Sequence, residues 1–203
     1  MKVSGDTVLH ADAETVWRTV TDPEVLVRTI PGCARLEVTG PDAYTMTVSA
    51  GVASIKGTYD GQVALTDQIR PSSFVLRASG AGASGTIRTD VSVTLLDGRD
   101  GTTSLRYDAD ADVGGMVGGV GQRVLTSVAK KMAGQFFANV DDVLTGAAPV
   151  TPAAPSAGAT PGVFTAPPRA RAVPSGGFVK GVLVGAGIAL AGVLVGTLIG
   201  RRR

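Results

Sequence analysis

Cysteine and histidine are almost missing from the 203 residues: Cys33 and His10 are the only ones. A lone cysteine excludes an intramolecular disulfide, and one cysteine with one histidine cannot build a zinc cluster. A Ser-His-acid or Cys-His nucleophile would have to use His10, so the composition argues against hydrolytic catalysis. Aromatic residues make up only 4%. The opening stretch, MKVSGDTVLHADAE, lacks the apolar core of a signal peptide, so the body is expected on the cytoplasmic side. Acids are absent from Arg169 onward, where six bases stand (Arg169, Arg171, Lys180, Arg201, Arg202, Arg203), leaving 13 bases and 17 acids in residues 1–168. An acidic body with a basic tail does not suit nucleic acid, which needs a basic stripe on the folded domain. Bases beside an apolar tail suit an anionic membrane surface.

The composition shifts twice along the chain. Residues 1–145 read as one globular domain. Residues 146–177 hold seven of the eleven prolines among Ala, Gly, Ser and Thr, the composition of a semi-extended linker. Residues 178–203 are expected to form a membrane anchor helix with an arginine tail. Gly181–Gly200 is a run of 20 residues without a charge, which at ~1.5 Å per residue matches the bilayer core of about 30 Å. Gly181/Gly185 and Gly192/Gly196/Gly200 recur at four-residue spacing, a pattern that favours helix self-association in membranes. Three bases flank the segment on each side, so the positive-inside rule leaves spanning and interfacial placements both open.

Within the body the hydrophobic period changes. Lys2–Leu9 predicts a strand. Asp12 and Asp22 stand where helix N-caps belong, ahead of Ala13–Val20 and of a second short helix opening at Pro23 and closed by Pro31-Gly32. Alternating runs beginning at Tyr44, Ile55, Ile87 and Thr103 predict an antiparallel sheet with one wet face, with Asp97-Gly98 and Asp100-Gly101 turning into its last strand. From Met116 the apolar residues fall at three- and four-residue steps through Val120, Val124, Val128, Met132, Phe136, Val140 and Leu144, predicting one long amphipathic helix. The economical solution is an α+β fold, a curved antiparallel sheet wrapped around a long C-terminal helix.

Many inward positions of that sheet are small: Gly57, Gly61, Ala78, Ala109 and Ala111. Small residues on a concave face leave an apolar cavity under the helix. Candidate ligand contacts are Leu26 and Ile30 on the second helix, Met46, Tyr59, Phe74 and Tyr107 on the sheet, and Met116, Val120 and Val124 at the start of the long helix. No catalytic or metal-binding residue is assigned. Asp108, Asp110 and Asp112 read as a solvated strand edge, Lys130-Lys131 as the wet side of the helix, and Cys33 as a small apolar residue. His10, at a strand end, reads as a structural hydrogen-bonding group. The glycine run Gly114–Gly121 lacks the order of a phosphate or dinucleotide loop. It fits close backbone packing, or a flexible lip at the cavity mouth.

The Ala13-x-x-Val16-Trp17 and Asp22-Pro23-Glu24-x-Leu26 strings ahead of the sheet resemble the START-like (SRPBCC) helix-grip superfamily. Ile30-Pro31-Gly32-Cys33, Gly57-Thr58-Tyr59-Asp60-Gly61, Gly114-Gly115 through Gly121-Gln122-Arg123 and Phe136-Phe137 resemble, more narrowly, the CoxG family of carbon monoxide dehydrogenase proteins. The resemblance covers residues 1–145. It implies a helix-grip fold and a non-catalytic accessory role, with a molybdenum-type carbon monoxide dehydrogenase or related hydroxylase and the inner membrane as partners. It brings no molybdopterin, flavin or iron–sulfur motif, and one cysteine cannot ligate a cluster. Relatives elsewhere in the superfamily bind lipids, polyketides and quinones. The expectation is therefore a protein anchored C-terminally at the cytoplasmic face of the inner membrane. It recruits the dehydrogenase and carries a lipophilic quinone in its cavity. Arginine-, alanine- and glycine-rich composition suits a GC-rich, actinobacterial source, where that quinone would be menaquinone. Two alternatives stand beside it: a pure anchor or assembly factor without ligand, and a START-like enzyme acting on lipid or polyketide.

Overall fold

The computed structural model describes residues 1–147 and 162–166. Its element order begins with strand β1 (Lys2–Leu9) and two short helices, α1 (Ala13–Thr21) and α2 (Pro23–Thr29). Six strands follow: β2 (Cys33–Gly40), β3 (Ala43–Val52), β4 (Ile55–Ile69), β5 (Ser73–Gly82), β6 (Gly85–Asp97) and β7 (Thr103–Gly114). Helices α3 (Gly115–Gly118) and α4 (Gln122–Leu144) come next, and a three-residue strand, β8 (Val163–Thr165), lies beyond them. All eight strands form one sheet in the order β1-β7-β6-β5-β4-β3-β2-β8, with every pair antiparallel. β1 and β8 pair far from their sequence neighbours, beside β7 and β2, and the helices pack on one face of the sheet.

The caps form as the sequence reads. Asp12 accepts from the Thr15 backbone N–H at 2.9 Å and from its hydroxyl at 2.7 Å, and Asp22 accepts from the Glu24 N–H at 2.8 Å. Pro31-Gly32 closes α2. Gly32 takes φ +78, and a Cβ there would lie 2.0 Å from the Ser49 carbonyl oxygen, so only glycine lets this turn pass over β3.

The core runs diagonally across the inner face. Leu9, Leu105, Leu95, Val93, Phe74, Leu65, Tyr44 and Leu36 meet Val16, Trp17, Val20, Val27 and Val140 from the helices. Phe74 meets Trp17 edge-on, with ring centroids 5.3 Å apart. Polar clasps hold the ends together. Thr103 donates to the Ala11 carbonyl at 2.7 Å, Asn139 Nδ2 to the Thr29 carbonyl at 2.9 Å, and the His10 backbone N–H to Asp141 at 2.8 Å.

Two expectations change. The long helix does not run unbroken from Met116. α3 ends at Gly118, and Gly121, at φ +100, separates it from α4, which starts at Gln122, because a residue with positive φ cannot continue a right-handed helix. Within the stretch expected as linker, residues 163–165 form a strand on the free edge of β2. The apolar segment 178–203 lies outside the described residues. Among the described helices, none is long and apolar enough to cross a membrane.

Candidate functional site: the inner face of the grip

Strand register fixes which side chains share the inner face. One row crosses it as Val113, Ile87, Gly80, Gly61, Met46 and Leu36. The row beside it runs Ala111, Thr89, Ala78, Val63 and Tyr44. The next runs Val3, Ala109, Val91, Leu76 and Leu65. Glycine or alanine thus occupies Gly61, Gly80, Ala78, Ala109 and Ala111, a patch over β4, β5 and β7. No position of these three rows carries a charge.

This patch is the less sealed part of the interior. Met46, Tyr59, Val63, Leu76, Val91 and Tyr107 are half-buried although they face the helix side, and Ile87 is 38% exposed. Apolar side chains on this face that keep partial access to solvent make it a candidate cleft, less sealed than the Trp17 end. At the other end α1 closes the sheet over Trp17 and Phe74.

Two tyrosines border the cleft, and glycines set how they lie. A Cβ on Gly5 would sit 2.7–2.9 Å from the Tyr107 ring and hydroxyl, so that ring rests on the bare backbone of β1. Its other neighbour is Phe137, with centroids 5.6 Å apart. A Cβ on Gly82 would lie 3.0 Å from the Tyr59 ring and one on Gly57 3.3 Å from it. Among the described residues neither tyrosine hydroxyl has a hydrogen-bond partner. Burial pushes the Tyr107 phenol above its ordinary value, so it stays protonated and able to donate at neutral pH.

The sequence-predicted contacts divide over this geometry. Met46, Tyr59 and Tyr107 share the inner face. Leu26 on α2 and Ile30, its C-cap, are half-buried against the core. Phe74 is buried at the closed end as part of the packed core. Val120 is half-buried in the turn before α4, whereas Met116 is 65% exposed and Val124 40% exposed. The sequence reading missed β2 and β5, and with them Leu76, Gly80 and Gly82. Their signal was present as alternation in Phe74-x-Leu76-x-Ala78-x-Gly80, diluted by the small residues.

The remaining candidates are structural. Gly114, Gly115 and Gly118 serve close backbone packing: a Cβ on Gly115 would lie 2.6 Å from the Gly85 Cα, and one on Gly118 2.5 Å from the Val113 carbonyl oxygen. Cys33 is buried, which pushes its thiol above the ordinary range. His10 Nδ1 lies 2.8 Å from Asp141 Oδ2, joining the end of β1 to α4. Asp110 pairs with the N-terminus at 3.7 Å and with Lys2 at 3.8 Å on the outer face. Among the described residues no acidic or His/Cys cluster has the geometry of a metal site. An open groove of about 870 Å³ is lined mostly by outward polar residues, among them Arg35, Glu37, Asp60, Gln62, Arg88 and Asp112, and also by Met46, Gly61, Gly80, Ile87 and Val113 of the first row.

A curved antiparallel sheet gripping a C-terminal helix defines the START-like class. Solved structures agree. A START superfamily protein from Mycobacterium smegmatis matches 72% of this chain and 99% of its own at 15% identity and TM-score 0.57. The Zhui aromatase/cyclase from Streptomyces sp. R1128 matches 71% and 93% at 13% identity and TM-score 0.56. Both likenesses speak for the fold alone. The crystal structure of a conserved protein from Geobacillus kaustophilus is 33% identical, covers 72% of this chain and 97% of its own, and has TM-score 0.70. The family model of the carbon monoxide dehydrogenase G-subunit (CoxG) matches residues 5–145. The chain belongs to that family. A search among curated proteins finds no match.

Proposed function

We propose that this protein is a ligand-carrying accessory factor of a molybdenum-type carbon monoxide dehydrogenase or related hydroxylase, with a lipophilic quinone as its ligand. The observation that carries the reading is the inner face. Among the described residues its three central rows are uncharged, its floor is of small residues, its apolar walls are half-exposed, and its two tyrosine hydroxyls have no protein partner. Such a cleft favours an apolar ring and tail, and a phenol can donate to a quinone carbonyl. The family name ties the chain to carbon monoxide dehydrogenase, whose electrons need an acceptor. The uncharged run Gly181–Gly200 supports C-terminal anchoring at the cytoplasmic face of the inner membrane, where menaquinone would be drawn from lipid. A tether of this kind raises the local concentration of carrier at the bilayer. The protein is read as a non-enzyme, since among the described residues no inward group pairs a base with a nucleophile.

The test is solvent extraction and mass spectrometry of the full chain purified from its native-type host, followed by quinone titration of the stripped protein. Near-stoichiometric quinone and its rebinding are expected. An empty extract with no uptake in titration overturns the carrier reading and leaves a pure anchor or assembly factor.

A further inference from the structure

The chain crosses a proline-rich stretch and then returns to the body for five residues. Val-Phe-Thr at 163–165 is bounded by Pro161-Gly162 on one side and Ala166-Pro167-Pro168 on the other. Proline has no N–H to give a ladder, so the prolines confine the strand to these residues. Gly162 takes φ +86, which turns the chain onto the edge. The register is in phase with the core. Phe164 stands opposite Leu36, itself fully buried, and the ring packs against the core cluster. The Val38 N–H donates to the Gly162 carbonyl at 2.8 Å, and the Ala166 N–H donates to the Ala34 carbonyl at 3.1 Å. β8 also touches α2, whose Leu26 and C-cap Ile30 flank the core beside the cleft.

We infer that residues 162–166 are an intramolecular docking strand, a latch that occupies the strand-addition edge of β2, braces α2 and sets how far the C-terminal segment reaches. The occupant suits the edge in three ways. Its β-branched and aromatic residues are the strand-favouring triplet of the 146–177 stretch. Its aromatic ring lands where β2 turns Leu36 inward. Its length is cut to the edge by proline. Docking also changes the tether by covalent geometry alone. With Ala166 held, 15 residues lead to Gly181 and span at most about 50 Å; released, 34 residues from Ala147 span at most about 120 Å. A strand of three residues at a sheet end belongs to the low-stability part of a fold, where opening and closing are local events. Docked, the latch shortens the chain between the body and the uncharged run, and its release lengthens it.

The experiment is hydrogen exchange by mass spectrometry on the full chain in detergent, comparing wild type with Phe164→Asp and Ala166→Pro. Ala166→Pro keeps the ring and removes the N–H donated to Ala34. Peptides spanning 33–38 are expected to exchange at least tenfold faster in both variants, those spanning 23–30 several-fold faster, and those spanning 60–80 unchanged. In parallel, Glu37→Cys with Val163→Cys places two thiols at facing register positions, away from buried Cys33. Mild oxidation is expected to close that pair in the full chain and to slow exchange over 33–38. Unchanged exchange over 33–38 in both variants, or failure of the two introduced thiols to join, overturns the latch. Neither result depends on quinone, so the carrier reading stands or falls separately.

Discussion

Ala109→Phe tests whether the inner face is open. Ala109 is half-buried on β7, facing Val3 and Val91 across the register, with Tyr107 and Ala111 two positions away on the same face. A phenyl ring placed there must enter the space toward α4. A fully buried aromatic removes roughly 150–250 Å² from water. Entry of about half a ring at ~25 cal/mol per Å² gains about 2–3 kcal/mol, less about 1 kcal/mol of lost rotamer freedom. If the space were already filled, overpacking would instead cost about 1–3 kcal/mol. For a body of this size one kcal/mol moves Tm by about 3–4 °C. The half-exposed walls favour the first case, with Tm raised by about 3–8 °C. A fall of about 4 °C or more refutes the open cleft.

The same variant probes the carrier reading. The added ring competes for the volume a quinone needs, and loss of about 1.4 kcal/mol of binding is a tenfold weaker affinity. Titration followed by fluorescence of Trp17, the only tryptophan, measures this. A stable variant that binds quinone as tightly as wild type shows that ligand, if bound, lies elsewhere. Electron delivery should fall while membrane recruitment, read by flotation with vesicles, stays intact.

Glycines separate sharply by position. Gly115→Ala combines φ +76 with a Cβ 2.6 Å from the Gly85 Cα and should unfold the body or lower its Tm strongly, whereas Gly134→Ala, with nothing within 4 Å in exposed α4, should stabilise by ~0.5–1 kcal/mol in urea melts. Asn139→Ala leaves the Thr29 carbonyl, on a residue 1% exposed, without its donor; a loss of about 1–3 kcal/mol is expected by chemical denaturation, and less than about 0.5 kcal/mol refutes the clasp. The pH profile follows from the α1 cap. Thr15 holds Asp12 below its ordinary value, and the Arg70 guanidinium holds Glu14 below its own. The unfolded chain therefore takes up these protons at higher pH than the folded chain. Their contribution is complete above the ordinary carboxylate range near 4 and fades as pH falls through the depressed values. Melts from about pH 6 to about pH 2.5 should show a falling acid limb that is shallower in Glu14→Gln.

The legible parts of the sequence are those where a local rule and the fold agree. Asp12 and Asp22 cap where they stand, and the long alternations of β4, β6 and β7 mark one wet and one dry face. The inward positions Gly57, Gly61, Ala109 and Ala111 follow from that alternation, whereas Ala78 stands on β5, whose alternation is diluted by small residues. β2 was hidden because its pattern is short and interrupted by register shifts at Cys33/Arg35 and Val38/Gly40. β8 was hidden by composition: three strand-forming residues inside a proline-rich stretch carry little weight until an open sheet edge is known to exist. The placement of Met116 and Val124 outside the interior was illegible for a related reason. Their period is helical, but Met116 precedes the break at Gly121 and does not share the phase of α4, and Val124 stands in the first turn of α4.

The two ends of the interior are built on different terms. At the closed end, Trp17 against Phe74 and the sealed leucines of β1, β2, β6 and β7 supply the close packing that stabilises a small α+β body. At the open end, large side chains are replaced by glycine and alanine, and the two tyrosines are laid flat over Gly5, Gly57 and Gly82. That substitution forgoes packing that Leu or Phe would supply at the same register positions. A sheet selected for stability alone would fill those rows, since apolar cores tolerate larger residues wherever volume allows. Stability is concentrated where the helices are clasped by Asn139, Thr103 and His10. The small residues stand instead on β4, β5 and β7. The loss of packing is explained if something apolar occupies the cleft for part of the protein's working cycle, and this is why the stability and affinity of Ala109→Phe must be read together.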